Sequence, residues 1–324
     1  MSSQNSNSLV SVIIPAYKHA DYIAAALTSV ARQTYPHIEL VVVDDCSPDA
    51  TLEVTVDWLS SPEMDSRFTS IRLLKNEINS GAHASINRGI RESSGGIISL
   101  MNSDDLYHPE RISKLVDAMI GQQTDFAFSK VMAIDDDDSC IPPWLLPDSL
   151  RNVFDFADWA NCNLPSLSFG FLAQNMAIST GNFVFTRNLY DRIGPFKPLL
   201  YVHDWDFILR TIFECEPAYV AEELYLYRIH STNSFSQLEH VGEVEGLIVS
   251  ETFFRMARNK LLRNSLAPVP ENWPVVWEIY KDRLLMVNVG SFARDEFKDS
   301  DQSLRTTKAK IMGANPKRGV GRIG

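Results

Sequence analysis

Long apolar runs, paired cysteines and an excess of positive charge are all missing from this chain, and each absence closes a class of functions. No stretch approaches the about 18 consecutive apolar residues that would span a bilayer, so no transmembrane helix is expected. Cys46, Cys140, Cys162 and Cys215 show neither metal-ligand spacing nor the density of a disulfide framework, which fits a reducing cytoplasm. The formal net charge of -11 would repel a phosphate backbone and argues against a general nucleic-acid binder. Met1 to Ser8 is polar and lacks the basic region and apolar core of a signal peptide. Two phosphate cradles are missing as well. No G-x-G-x-x-G follows the first apolar run, where Pro15-Ala16-Tyr17-Lys18-His19 stands, and no G-x-x-x-x-G-K-[ST] occurs anywhere. Phosphate chemistry in this chain would therefore need a metal.

What is present is an alternation of strand and helix signals. Leu9 to Ile14, and the β-branched run that follows Glu39 up to Val43, read as strands of the kind buried on both faces of a parallel sheet. Between them Ile23, Leu27 and Val30 keep helical spacing. Ser47 reads as a helix cap with Pro48 at the first helical position, followed by the stripe Leu52, Val56 and Leu59. Thr69 to Leu74 and Ile97 to Met101 read as further strands, with a helix over Gly81 to Arg91 between them. Pro109 opens a helix patterned on Ile112, Leu115, Val116 and Met119, and Asp125 to Ile134 returns to strand. Right-handed crossovers make such strands parallel neighbours in an open α/β sheet, and 324 residues at 45% hydrophobic content can bury a substantial core.

Three acidic clusters fall at predicted strand or helix ends: Asp44-Asp45, Asp104-Asp105, and Asp204 with Asp206. Acids at the carboxyl ends of parallel strands converge on one crevice and suit a divalent metal held against a diphosphate. Each also has a plainer reading. The first two pairs could serve turns and helix starts, Asp204 could cap a helix carrying Phe207, Ile208, Ile212 and Phe213, and Tyr17 could be ordinary packing. The run Asp135 to Asp138, between a strand and Ser139, reads as a solvated hairpin turn rather than a metal site.

Six stretches stand in a telling order over residues 9–232: Ser11-Val12-Ile13-Ile14-Pro15-Ala16-Tyr17, Val43-Asp44-Asp45-Cys46-Ser47, Asn79-Ser80-Gly81 through Asn87-Arg88-Gly89, Asn102-Ser103-Asp104-Asp105, Gly181-Asn182-Phe183 and His203-Asp204-Trp205-Asp206. In these the chain resembles a family 2 glycosyltransferase of the GT-A fold, a mixed and mainly parallel α/β sheet flanked by helices. The resemblance implies that Pro15, Tyr17, Asp45, Gly81, Asn87 and Asp104 meet a nucleotide-sugar donor, with Tyr17 stacked on the base and Asp45 bonded to its ring nitrogen. It implies Asp105 and His230 as ligands of Mg2+ or Mn2+, with Asp104 beside them at the ribose. Asp204 would be the general base of a single, inverting displacement, and Trp205 and Asn182 would face the acceptor, Trp205 as a sugar platform. Two positions depart from the family pattern. Asn102 stands where an acid is frequent and His203 where Glu commonly precedes the base, which leaves open altered metal use.

The implied partners are a nucleotide sugar, with UDP favoured over GDP or dTDP, and a saccharide or lipid-linked acceptor in surface-glycan assembly. The chain lacks the Q-x-x-R-W motif of membrane-embedded processive synthases, so one sugar per encounter is expected. The alternatives are a catalytically weak sugar-nucleotide-binding protein and, behind it, a nucleotidyltransferase. The catalytic domain is expected over 9–232, with the long aromatic stretch from Asp138 to Thr180 shaping the acceptor pocket. A helical extension is expected over 233–305, on the helical spacing of Glu243 to Leu262 and Trp273 to Val289. Residues 306–324, with Lys308, Lys310, Lys317, Arg318 and Arg322 among glycines, read as a disordered basic tail. Such a tail could touch anionic lipid at the inner membrane face, placing the protein in the cytoplasm with peripheral membrane contact.

Overall fold

The computed structural model describes residues 8–61, 66–146, 148–230, 239–257 and 262–274. The apolar runs become strands β1 (Val10–Ala16), β2 (Ile38–Asp44), β3 (Ser70–Lys75) and β4 (Ile97–Leu100), with helices α1 (Ile23–Ala31), α2 (Thr51–Leu59) and α3 (Ala82–Glu92) as crossovers. The chain continues through β5 (Leu106–Tyr107), α4 (Arg111–Gln122), β6 (Phe126–Ile134), α5 (Asp148–Asn163), α6 (Leu167–Ala173), β7 (Val184–Thr186) and α7 (Arg187–Ile193). It ends in α8 (His203–Thr211), β8 (Ala218–Arg228) and α9 (Glu239–Ala257).

The strands form one sheet in the order β3-β2-β1-β4-β7-β6-β8-β5. The first four are mutually parallel; β7 runs antiparallel between β4 and β6, β6 and β8 are parallel, and β5 pairs antiparallel with β8. The register matches Ala16 to Asp44 and Ile13 to Leu100. Strands β1, β2 and β4 therefore stop within a few residues of one another, and the turns after them line one edge.

Alternate residues of the central strands enter two cores, one on each face. Val12, Ile14, Leu40 and Val42 meet α1 and α4 through Ile23, Leu27, Ile112 and Met119. Ile13, Val41 and Val43 meet α3 and α8 through Ile86, Ile90, Phe207 and Ile208. Full burial of such side chains is worth about 1.5–3 kcal/mol each before the entropy cost of ordering the chain. Gly89 lets α3 lie close on β1, because a Cβ there would fall 2.3 Å from the Ile13 side chain.

Some expected boundaries shift. Helix α2 begins at Thr51, three residues after Pro48, because Asp49 rather than Ser47 accepts the first-turn bonds, from Thr51 N at 3.2 Å and Thr51 Oγ1 at 2.6 Å. The Ser47 hydroxyl instead accepts from Lys18 N at 3.3 Å and ties the turns after β1 and β2 together. The Asp138 to Thr180 stretch contains α5 and α6, with Phe169 and Phe171 in the core. The first expected extension helix corresponds to α9, while most of the second and the basic tail lie outside the described residues. Among the described residues, no helix is long and apolar enough to cross a membrane.

Candidate active site

The turn after β2 is held by its own acid. Asp45 accepts from Asn76 Nδ2 at 2.6 Å, Ser80 N at 2.9 Å and Gly81 N at 2.8 Å, drawing the loop that leads into α3 against the strand end. Gly81 enters that helix at φ +86°, a left-handed conformation that glycine adopts without strain. Beside this turn Tyr17 is half-buried, with Lys18 Nζ 5.2 Å from its ring centroid.

The turn after β4 carries Asp104 and Asp105, whose side chains go different ways. Asp105 is only 1% exposed; its Oδ1 accepts from Arg228 N at 2.8 Å and its Oδ2 from the Tyr225 hydroxyl, so it is locked to β8. Asp104 Oδ2 faces the His230 Nε2 at 3.1 Å and the His19 Nε2 at 3.7 Å. Burial opposes charge on Asp104, but His19 and His230 outweigh it and hold the group below the usual carboxylate range. Asp105, buried and next to that charge, is held well above it.

His19, Asp104 and His230 offer ligand atoms that all lie within 4.8 Å of one another. Metal–ligand bonds of about 2.1 Å at tetrahedral or octahedral angles place neighbouring ligand atoms about 3.0–3.4 Å apart, close to the two measured edges. Second partners are in place too. The Ser103 hydroxyl lies 2.7 Å from His19 Nδ1, where its oxygen can accept the Nδ1–H hydrogen bond in the tautomer that leaves Nε2 with its lone pair toward Asp104. Tyr22 lies against the His230 ring, centroids 5.0 Å apart, and Arg228 lies over Tyr22 at 4.9 Å. The residues therefore fit a divalent ion, and two imidazoles with one carboxylate suit a borderline ion such as Mn2+ better than Mg2+, which favours oxygen ligands alone.

The acidic turn at Asp135 to Asp138 does sit in a hairpin, with Asp138 at φ +63° and Ile134 bridged to Cys140. It also braces the wall of the site. Asp136 accepts from the Tyr22 hydroxyl at 2.7 Å, and Asp138 pairs with Arg228, which in turn donates to the Asp104 carbonyl at 2.7 Å.

Asp204 opens α8. Its Oδ1 accepts from Trp205 N at 2.7 Å and its Oδ2 from Asn175 Nδ2 at 2.8 Å. Burial pushes its pKa up to about 7, and among the described residues no cation pairs with it. Burial, and after it Asp105 and Asp104, holds the Tyr227 phenol well above its ordinary range. His203, beside Asp204, is drawn down to about 4 by burial and is neutral at physiological pH, its Nε2 3.1 Å from the Thr180 hydroxyl.

With this geometry established, the comparisons are direct: residues 11–194 match the profile of glycosyl transferase family 2. The chain belongs to that family. TuaG of Bacillus subtilis, named for teichuronic acid biosynthesis, is 33% identical over 121 residues, which cover 37% of this chain and 46% of TuaG. The chain thus spans under half the length of that relative. WfgD of Escherichia coli, named as a UDP-Glc:alpha-D-GlcNAc-diphosphoundecaprenol beta-1,3-glucosyltransferase, is 26% identical over 76% of this chain and 89% of its own. TarS of S. aureus in complex with UDP-GlcNAc aligns with TM-score 0.60 at 17% identity, over 86% of this chain and 81% of that one. The mannosyltransferase PcManGT of Pyrobaculum calidifontis, in complex with GDP-Man and Mn2+, aligns with TM-score 0.57 at 16% identity, over 96% and 82%. These likenesses show the GT-A fold.

Within this family 2 glycosyltransferase, several residues expected at the site are placed elsewhere. Trp205, expected as a sugar platform, is 9% exposed and donates its indole N–H to the Phe171 carbonyl at 2.6 Å, a packing position. Asn182 is fully buried and bonded to Ser129 and Ala177, so no donor or acceptor is left for a sugar. Asn87, expected at the donor, braces α3 to the 190–196 segment through the Tyr190 hydroxyl at 3.0 Å and both main-chain groups of Phe196. Pro15 is a half-buried strand residue opposite Val43. Asp105 has each oxygen bonded to β8 and lies outside the His19, Asp104 and His230 cluster. His19 was missed: it lies two residues past Tyr17 in the turn after β1, and only the fold brings it beside His230.

Proposed function

We propose that this glycosyltransferase moves a single sugar from a nucleotide-sugar donor to a hydroxyl acceptor with inversion, assisted by a divalent metal. The observation that carries the reading is Asp204, a carboxylate at the start of α8 with no cationic partner among the described residues, whose pKa burial raises to about 7, where a general base is most effective. Its ionised oxygen would take the acceptor proton as the hydroxyl attacks the anomeric carbon from the face opposite the leaving group. Asp104, His19 and His230 would hold the metal, whose charge would stabilise the departing nucleoside diphosphate. Tyr17 and the turn organised by Asp45 would form the base side of the donor pocket, with Gly81 permitting close approach.

The UDP-sugar reading draws support from WfgD and from TarS, with GDP and dTDP sugars as the next donors; the GDP-Man complex of PcManGT supports the former. WfgD's name also supports a lipid-linked saccharide acceptor, and TuaG's a role in surface-polysaccharide assembly. The domain reading of 9–232 as the catalytic unit, followed by a helical extension, goes with this proposal. A panel of UDP, GDP and dTDP sugars with Mn2+ tests it. Release of nucleoside diphosphate is expected; pyrophosphate release would indicate nucleotidyl transfer, and binding without turnover would indicate a sugar-nucleotide-binding protein.

A further inference from the structure

We infer that Glu245 of α9 is a positioning residue for the proposed base, fixing the turn from which Asp204 is presented. The inference rests on the reading of Asp204 as that base. The main-chain N–H groups of Leu200 and Tyr201 each donate to the Glu245 carboxylate at 2.8 Å, and that of Val202 donates at 3.2 Å. Three consecutive amides aimed at one anion make charge-assisted bonds of the kind that order a loop. Val202 then passes the order on, because its carbonyl accepts from Asp206 N at 3.0 Å in the first turn of α8.

Packing adds to these bonds: Val202 is buried in the core, Leu199 and Tyr201 lie against it, and Lys197 pairs with Asp206 at 2.6 Å. Leu200 is 68% exposed, and Tyr201 and Asp204 are only partly buried. Further contact comes from the same face of α9. Position 242 lies one helical turn before 245 and 246, so it shares a face with each of them. A Cβ at Gly242 would fall 2.6 Å from the Tyr201 ring, and one at Gly246 would fall 3.4 Å from the Trp205 ring. Helix α9 is seated on the core beneath by Val249 and Phe253. Glu245 also acts toward the crevice: burial draws the His83 imidazole down, while Asp45 from the donor side and Glu245 from α9 oppose it.

A helix that follows the family-matched residues thus reaches back and sets the geometry of the acceptor side. Misplacement of a reacting group by about 1 Å can cost on the order of 10² in rate, so the clamp should show in turnover rather than in donor binding.

The test uses the full chain with Glu245→Gln and Glu245→Ala. Hydrogen exchange at the Leu200, Tyr201 and Val202 amides is measured beside calorimetric titration with UDP plus Mn2+ and nucleoside-diphosphate release from the donor. The Gln variant removes the charge and one acceptor oxygen while conserving size, so it serves where the Ala variant does not fold. Exchange at the three amides should speed up by roughly tenfold or more while core amides are unchanged. UDP affinity should stay within about threefold and turnover fall by about 10- to 100-fold at little-changed donor KM. Unchanged amide exchange in the Gln variant, or UDP affinity falling in step with turnover, overturns the inference. If Asp204→Asn retains full turnover, the base reading fails; if Asp204→Asn is silent but Glu245→Gln is fully active, only the positioning role fails.

Discussion

The two halves of the sheet use their carboxylates in different ways. In the parallel half, Asp45 and Asp49 at the mouth bond to nearby main-chain amides and shape the turns they begin. At the seam after β4, Asp104 meets two imidazoles, one following β1 and one following β8, and in the mixed half Asp204 has one amide partner outside its own helix and a raised pKa. Convergence at strand ends is common to both halves. Availability is not, and it is set by how many hydrogen-bond acceptor positions the fold has already filled. Asp104 and Asp105 state the contrast at neighbouring positions, one facing His19 and His230 and the other bonded to Tyr225 and Arg228.

The largest expected effect breaks the open side. Asp204→Asn should leave UDP binding within a few-fold and lower transfer by on the order of 10² or more. In the native enzyme turnover should rise with pH up to about 7 and level off above, because the base must be ionised. Stability moves the other way. The folded carboxylate holds its proton more tightly than the unfolded one, so the penalty for ionising it is absent below the ordinary value of 3.8, grows up to about 7 and is constant beyond. The Asn variant should therefore melt at least as high as the native protein near about pH 8, with the gap closing toward acid pH. Near-native transfer together with an unchanged melting profile would make Asp204 a helix cap.

The adjacent acids give the next test, because the same chemical change at each should have a different consequence. Asp104→Ala should abolish the Mn2+-dependent part of UDP affinity. Asp105→Asn should keep that part within a few-fold and instead cost about 1–3 kcal/mol of stability, through unpaired groups of Tyr225 and Arg228. His19→Ala should weaken Mn2+ binding by roughly tenfold and change Mg2+ binding less. Mn2+ titration followed by electron paramagnetic resonance, with chemical denaturation alongside, reads all three. Loss of metal affinity confined to Asp105→Asn would reverse the assignment.

Much of the fold was legible because parallel strands buried on both faces are continuous apolar runs, and their crossover helices carry a clear stripe. The inserted antiparallel pieces were not: β5 has two residues and β7 has three, too few to show any period. At the site, Asp104, Asp204 and His230 stand in or at the end of recognisable stretches. Trp205 and Asn182 also stand in such stretches, yet sequence proximity does not say which way a side chain points. Trp205 follows Asp204 by about 100° around α8, enough to turn its ring onto α6 and α9. His19 had no signal of its own, since a single histidine in a turn becomes a ligand candidate only when β8 carries His230 and the turn after β4 carries Asp104 to the same place.

The smallest expected effect tests this closed side at Trp205. The indole N–H bonds to the Phe171 carbonyl at 2.6 Å, and the ring lies against the α9 surface at Gly246. Trp205→Phe retains most of the apolar area and deletes that hydrogen bond, leaving a buried carbonyl short of a partner. The expected cost is about 1–3 kcal/mol, which corresponds to roughly 2–4 °C in Tm for each kcal/mol in a domain of this size. Because the ring packs inward, KM for the acceptor should stay within about twofold, in contrast to a sugar platform, whose loss removes contact area from the bound saccharide. Thermal unfolding and acceptor titration on the same preparation separate the two. A tenfold or larger rise in acceptor KM at unchanged Tm would mean that α8 turns this ring toward substrate during turnover, and would put Trp205 on the open side with Asp204.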